Sequence, residues 1–182
     1  MDIFVHTYDT GIYSGEFKKD KDESCYPHGS GTFEFNNGDV YSGSFKDGAP
    51  SGYGTLTFAN GNKHIGEFKD GDRNGFGTTI IINPYTIVVG NYESDFPIGV
   101  MTVTDQYSDI YVGEIKGYDL LKHGHGYFKS FEENGDWYEY EGKWINDKLD
   151  GPVKVYSSRE DNTFHARFED GQMIKTIDSD ES

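Results

Sequence analysis

The sequence predicts an all-β protein: an elongated, twisted, single-layer antiparallel sheet made of consecutive β-hairpins. Three observations carry this prediction. Two glycine-containing motifs alternate along the chain with a period of 23 to 24 residues, apart from two repeats that carry insertions, and a fixed period is typical of repeat proteins. Within each motif, aromatic residues and glycines alternate as the two faces of a strand do. Asn-Gly pairs, which favour tight hairpin turns, lie between several of the motifs.

The first motif of each repeat has the pattern aromatic-x-Gly-x-aromatic. In the copy Tyr41-Ser-Gly-Ser-Phe45, both rings and the glycine share one face of a strand, because side chains alternate with period two. Later copies diverge, and the last one has lost its glycine. The central residues of the seven copies are Gly15, Gly43, Gly66, Gly90, Gly113, Gly142 and Ala166.

The second motif is Gly-x-Gly, and it continues the same alternation on the next strand. Turn signals such as Asn37-Gly38 and Lys46-Asp-Gly48 separate the two motifs, so each repeat is predicted to be one hairpin. Two copies carry Met101 or Val153 in place of the second glycine. The intact pairs are Gly29/Gly31, Gly52/Gly54, Gly75/Gly77 and Gly124/Gly126.

Glycine inside a strand needs a reason, because it costs up to about 1 kcal/mol relative to alanine. A bare glycine backbone lets an aromatic ring from a neighbouring strand lie across it. We therefore expect one face of the sheet to be tiled with rings over glycines, and we expect Phe45 and Phe68 to be buried.

The segments YSGSFKDGAPSGYGTLTFANG (residues 41–61) and HIGEFKDGDRNGFG (residues 64–77) resemble MORN repeats, the membrane occupation and recognition nexus family. The resemblance covers about residues 1 to 170, and it implies an open antiparallel sheet with a non-catalytic scaffolding, localising or partner-binding role. We accordingly predict a repeat array over residues 1–169, in about six full repeats with partial ends, followed by an acidic C-terminal tail over 170–182.

No catalytic, cofactor or metal site is predicted. Gly-x-Gly is followed here by strand alternation rather than by a helix, so it is not a dinucleotide-binding motif. His123 and His125 lack a third ligand at a metal-binding spacing. Cys25 and His28 lack a group to orient them as a nucleophile and base. The interpretation is that the protein is not an enzyme.

Charge narrows the range of partners. The chain holds 16 Lys and Arg against 32 Asp and Glu, a net charge of −16. This field repels nucleic acids and anionic lipid headgroups and attracts basic partners. Cys25 is the single cysteine, which fits a reducing compartment, and we predict a cytoplasmic location.

The predicted function is a protein-interaction scaffold that binds a basic or apolar-basic partner segment on its aromatic and glycine face. Two alternatives stay open: a module that targets membranes or phosphoinositides, and a structural element that self-assembles into dimers or filaments. The candidate partner-binding residues are Tyr41, Phe45, Phe68, Tyr92, Tyr111, Trp137, Glu139 and Trp144.

Residues 132–141 hold five carboxylates and three aromatic rings with no basic residue. Alternation places Trp137 and Glu139 on the face opposite Tyr140, where they could accept an arginine or lysine of a partner. The alternative is a solvated acidic hairpin whose rings pack on their own sheet.

The two ends of the array are the other expected assembly points, because an open sheet leaves unpaired edges. Residues 3–8 are predicted to cap the first hairpin. Residues 164–168 lack an evident following strand, which predicts a homodimer through that end.

Overall fold

A computed structural model describes residues 4–117 and 119–178 of the chain. Every regular element in these ranges is a β-strand, and each strand pairs with its neighbours in sequence, in one open antiparallel sheet. The predicted fold of consecutive hairpins is confirmed. The strands are β1 (Phe4–Tyr8), β2 (Gly11–Lys19), β3 (Cys25–Phe35), β4 (Val40–Lys46), β5 (Ala49–Thr57), β6 (Lys63–Lys69), β7 (Asp72–Ile82), β8 (Tyr85–Glu93), β9 (Phe96–Asp105), β10 (Ile110–Lys116), β11 (Leu121–Phe131), β12 (Trp137–Ile145), β13 (Lys148–Ser157), β14 (Asn162–Glu169) and β15 (Gln172–Ile177).

The chain forms two compact units. Unit 1 comprises residues 1–83 and 91–95, and unit 2 comprises residues 84–90 and 96–182. The core of unit 1 is almost entirely aromatic. Its rings meet edge to face, with the Tyr41 ring centroid 5.1 Å from that of Phe45 and 4.9 Å from that of Phe68, a geometry that aromatic rings favour.

The core of unit 2 is more aliphatic than that of unit 1. Trp144 packs edge to face on Tyr111 at 5.7 Å, and Val153, Val155 and Ala166 fill the space beyond it. This difference follows from the sequence, since the later repeats replace ring and glycine positions with aliphatic residues.

A register shift recurs between the two strands that carry the two motifs of each regular repeat. In β4 and β5, Gly43 lies opposite Gly54, but Phe45 lies opposite Pro50, so the strands shift between these pairs. The turn that follows has Asp47 and Gly48 at φ values of 49° and 95°. Aspartate and glycine tolerate this left-handed region, which explains the Lys-Asp-Gly signal in the sequence.

Strand β1 pairs with β2 over its whole length, from Phe4 opposite Gly15 to Tyr8 opposite Gly11. The prediction that the leading segment caps the first hairpin is confirmed for residues 4–8. Ile3 lies outside the described residues.

The prediction that residues 164–168 lack a following strand is wrong. Asp170 and Gly171 form the same left-handed turn as in earlier repeats, with φ values of 49° and 81°. The chain then returns as β15, in which Thr176 lies opposite Ala166. Residues 170–177, assigned to the acidic tail from the sequence, form this turn and strand, while residues 179–182 lie outside the described ranges.

Candidate functional site

On one face of the sheet, which we call the inner face, rings lie over the glycines of the regular repeats, whereas Met101 covers Gly90 and Val153 covers Gly142. A Cβ atom added at Gly54 would lie 2.5 Å from the Tyr41 ring, and one added at Gly43 would lie 2.8 Å from the Tyr41 hydroxyl. Gly54 is on the neighbouring strand, as predicted, whereas Gly43 is two residues further along the strand of Tyr41 itself. One ring therefore covers the glycines of both motifs in its repeat.

The hydroxyl groups of these tyrosines are hydrogen-bonded inside the sheet. Tyr41 Oη donates to the Ser44 carbonyl oxygen at 3.0 Å, and Tyr111 Oη donates to the Glu114 carbonyl oxygen at 2.9 Å. Burial raises the pKa of Tyr41 and of Tyr111 to about 12. Both phenols therefore stay neutral near pH 7 and act as structural groups.

His64 takes the tyrosine position in the third repeat. It is fully buried, and its Nδ1 lies 2.9 Å from Thr79 Oγ1, which in turn lies 2.8 Å from the Tyr92 hydroxyl. Among the described residues its Nε2 has no hydrogen-bond partner. Burial, followed by the positive charge of Arg73, lowers the pKa of His64 to about 4.

Six of the eight predicted partner-binding residues belong to the core of the sheet. Each has a relative accessibility of 4% or less, so a partner could reach these side chains only by displacing their neighbours. Their role in binding stays a prediction. These six are Tyr41, Phe45, Phe68, Tyr92, Tyr111 and Trp144.

Trp137 and Glu139 lie on the opposite, outer face, as predicted, but the chain supplies its own cation to them. Lys129 Nζ lies 3.5 Å from the centre of the Trp137 ring and 3.1 Å from Glu139 Oε1. The Tyr156 ring stacks on Trp137 at 4.9 Å. Burial and a hydrogen bond to Glu139 raise the pKa of Tyr127 to about 12. Lys129 of the same sheet thus occupies the position that was expected to accept a lysine of a partner.

The sequence analysis missed the most exposed rings of the regular repeats. Tyr53 and Phe76 occupy the middle of their Gly-x-Gly motifs, with 64% and 53% of their surface accessible. Alternation puts them on the outer face, because Gly54 and Gly77 face the inner rings. The signal was present in the sequence, since the residue between the two glycines must point away from the ring-covered face.

A carboxylate lies between these two outer rings. Glu67 is exposed and lies directly opposite Tyr53 across β5 and β6. Its side chain lies beside Gly75, the residue that precedes Phe76, where a Cβ atom would come within 2.9 Å of Glu67 Cβ. We call Tyr53, Glu67 and Phe76 the outer stripe.

The two histidines singled out for a metal site lie opposite charged residues of the neighbouring strands. His123 lies opposite Glu114 and His125 opposite Lys143. No group of three His, Cys, Asp or Glu side chains in residues 4–117 and 119–178 is placed to hold a metal ion. The described part of the chain also contains no helix that could cross a membrane.

Comparison with known proteins identifies the repeats. The MORN repeat family matches four stretches of the chain, at residues 26–40, 41–63, 64–81 and 140–152. A search of curated proteins found no match. The first three stretches cover the regular hairpins of unit 1, and the fourth covers the junction of β12 and β13, with the same Gly-centred motif. On this evidence the chain carries MORN repeats.

Proposed function

We propose that this protein is a non-catalytic interaction scaffold that binds a polypeptide on the outer stripe of unit 1. MORN repeats are generally non-enzymatic and are linked to protein or membrane interaction. The observation that carries the proposal is the exposure of Tyr53 and Phe76 on the outer face of unit 1. Exposed aromatic residues are enriched where proteins bind partners.

The geometry of the outer stripe suits an extended segment that crosses the strands. Tyr53 lies on β5 and Phe76 on β7, so their backbones are about 10 Å apart, at about 5 Å per strand. Each ring is flanked in sequence by two glycines, which add no side chain next to it. Glu67 lies between the rings on β6.

This combination favours a basic or apolar-basic segment. A guanidinium or ammonium group over an exposed ring contributes about 0.5–1 kcal/mol, and Glu67 adds an ionic partner for the same group. The net charge of −16 speeds the encounter with a cation. Contacts of this size support a weak, salt-sensitive complex, as a scaffold that exchanges partners requires. The reducing environment that suits a single cysteine makes the cytoplasm the proposed location.

The proposal is tested with a fluorescent peptide of alternating arginine and leucine, compared with a peptide in which glutamine replaces arginine. We expect the arginine peptide to bind and the Y53S/F76S double variant to lose about fivefold or more in affinity, from two cation–π contacts. Tyr107→Ser is the matched control, since Tyr107 is 70% exposed in a turn of unit 2.

Equal affinity of the wild type and the double variant would contradict the proposal. So would an equal loss from the control substitution, because the effect would then not belong to the outer stripe. Binding to phosphatidylcholine vesicles containing a phosphoinositide, in the absence of peptide binding, would favour the membrane alternative instead.

A further inference from the structure

A cavity of about 590 Å³ lies on the outer face of unit 2. The small or apolar residues that line it are Gly142, Gly151, Pro152 and Val153. Its volume is within the range of about 300–1,000 Å³ that is typical of ligand sites. The cavity is thus large enough for several side chains of a partner.

Basic residues from four strands surround this cavity. His125 of β11, Lys143 of β12, Lys154 of β13 and His165 of β14 line it. Arg167 lies directly opposite Pro152, at the edge of the cavity. We call these five residues the cation pocket. Such a concentration is unusual in a chain whose acidic residues outnumber its lysines and arginines two to one.

The strand register places these basic groups against one another. His125 lies opposite Lys143, and Lys154 lies opposite His165. Cross-strand neighbours have Cβ atoms about 5 Å apart, so these four side chains lie close enough together to contact one ligand.

The chain itself compensates these charges incompletely. Glu141 also lines the cavity, and its Oε2 lies 3.7 Å from Lys154 Nζ in an exposed pair. Asp150 is the second acidic residue of the lining. In the described part of the chain, the side chains of Lys143 and Arg167 form no ion pair and no hydrogen bond. Two permanent cations, Lys143 and Arg167, therefore lie at a cavity that also holds two carboxylates, but neither forms an ion pair with them.

We propose that the cation pocket binds an acidic segment of a partner polypeptide. Carboxylates would pair with Lys143 and Arg167, and imidazole N–H groups of His125 and His165 would donate to them. Apolar parts of the segment would cover Pro152.

The size and charge of the site favour a polypeptide over other anions. A single phosphate would leave most of the cavity empty. A flat anionic membrane would meet the field of the whole acidic protein rather than the local cations of the cavity. The proposal does not depend on the outer stripe, which lies in the other unit and takes the opposite charge.

The test uses a fluorescent peptide of alternating glutamate and leucine, with a glutamine–leucine peptide as the uncharged comparison. We expect the full-length protein to prefer the glutamate peptide and to lose affinity as salt is added. The K143Q/R167Q double variant should weaken this binding about tenfold, as expected for the loss of two charge-assisted contacts. Lys116→Gln in β10 removes one charge from the same unit outside the pocket and should leave affinity unchanged.

Three results would overturn the proposal: equal affinity for the two peptides, an unchanged affinity of the double variant, or an equal loss from Lys116→Gln. Inorganic phosphate that displaced the peptide at equal concentration would overturn the assignment to a polypeptide. Binding to phosphatidylserine-containing vesicles without peptide binding would do the same. Circular dichroism of K143Q/R167Q, with K143M/R167M as a second variant, shows whether the sheet is intact.

Discussion

Lys129 Nζ lies 3.5 Å from the centre of the Trp137 ring, so the chain carries its own cation at a place that could receive one from a partner. The two residues are near neighbours because β11 and β12 pair with Phe131 opposite Trp137 and Lys129 opposite Glu139. The contact follows from the pairing of these two strands, so it is not evident from the sequence alone. Trp137 and Glu139 therefore already bind a lysine of their own chain. A cation of a partner could take this place only if Lys129 were removed or displaced.

Replacing that lysine should open the site. We expect Lys129→Met to bind a second molecule of the arginine–leucine peptide, because it frees the Trp137 ring and the Glu139 carboxylate. The stoichiometry of binding, measured by calorimetry, should rise from one to two. Lys116→Met is the control, and an unchanged stoichiometry in Lys129→Met would show that the site does not accept an external cation.

Ring-over-glycine packing should dominate the stability of the regular repeats. We expect Gly43→Val to lower the free energy of unfolding by about 2–4 kcal/mol, because the new side chain would collide with Tyr41 and with the backbone of β5. Ser42→Val, at the adjacent position on the outer face, should change it by less than about 0.5 kcal/mol. Urea unfolding measures both, and similar midpoints for the two variants would refute the packing account.

The tyrosine hydroxyl should contribute separately from its ring. We expect Tyr111→Phe to cost about 1 kcal/mol, because the Glu114 and His123 carbonyl oxygens lose the one hydroxyl proton that they share. Tyr53→Phe, on the exposed outer stripe, should be neutral in the same urea measurement. A neutral Tyr111→Phe would mean that the hydroxyl does not help to hold the hairpin.

His64 should make the protein sensitive to acid. Its pKa is about 4 in the folded chain and about 6.5 in an unfolded one, so the unfolded state binds the proton first. The contribution of His64 to stability is therefore complete above pH 6.5 and is lost as the pH falls towards 4, by about 3 kcal/mol in all. Tyrosine at this position, as in the preceding repeat, has no such proton to bind.

Unfolding of the wild type and of His64→Tyr at several pH values tests this. The variant should lose less stability between pH 6.5 and 4 than the wild type does, while His6→Gln, an exposed control, should follow the wild type. Parallel curves for His64→Tyr and the wild type would contradict the role of His64.

Much of the fold was predictable because glycine spacing, alternation and turn residues all indicate the same hairpins. The last strand was not predicted because Gln172–Ile177 contains no aromatic residue and no glycine. The Asp170-Gly171 turn before it is the one sequence signal that indicates a further hairpin. The binding surface was harder to predict. The motif shows which positions carry aromatic rings, but it does not show which of those rings are exposed. Tyr41 is buried, whereas Tyr53 of the same repeat is exposed.

Surfaces assembled across strands leave little trace in the sequence. Lys18, Lys19 and Lys21 form the densest basic run in the chain, yet acidic neighbours surround them. The cation pocket draws its members from residues 125 to 167 on four strands, and only strand register brings them together.

The central claim is that the inner face packs and the outer face binds. Nuclear magnetic resonance of the labelled protein, titrated with the arginine–leucine peptide, tests it most directly. We predict that the aromatic signals of Tyr53 and Phe76 shift while those of Tyr41, Phe45 and Phe68 stay in place. Shifts of the buried rings, with Tyr53 and Phe76 unchanged, would contradict the account.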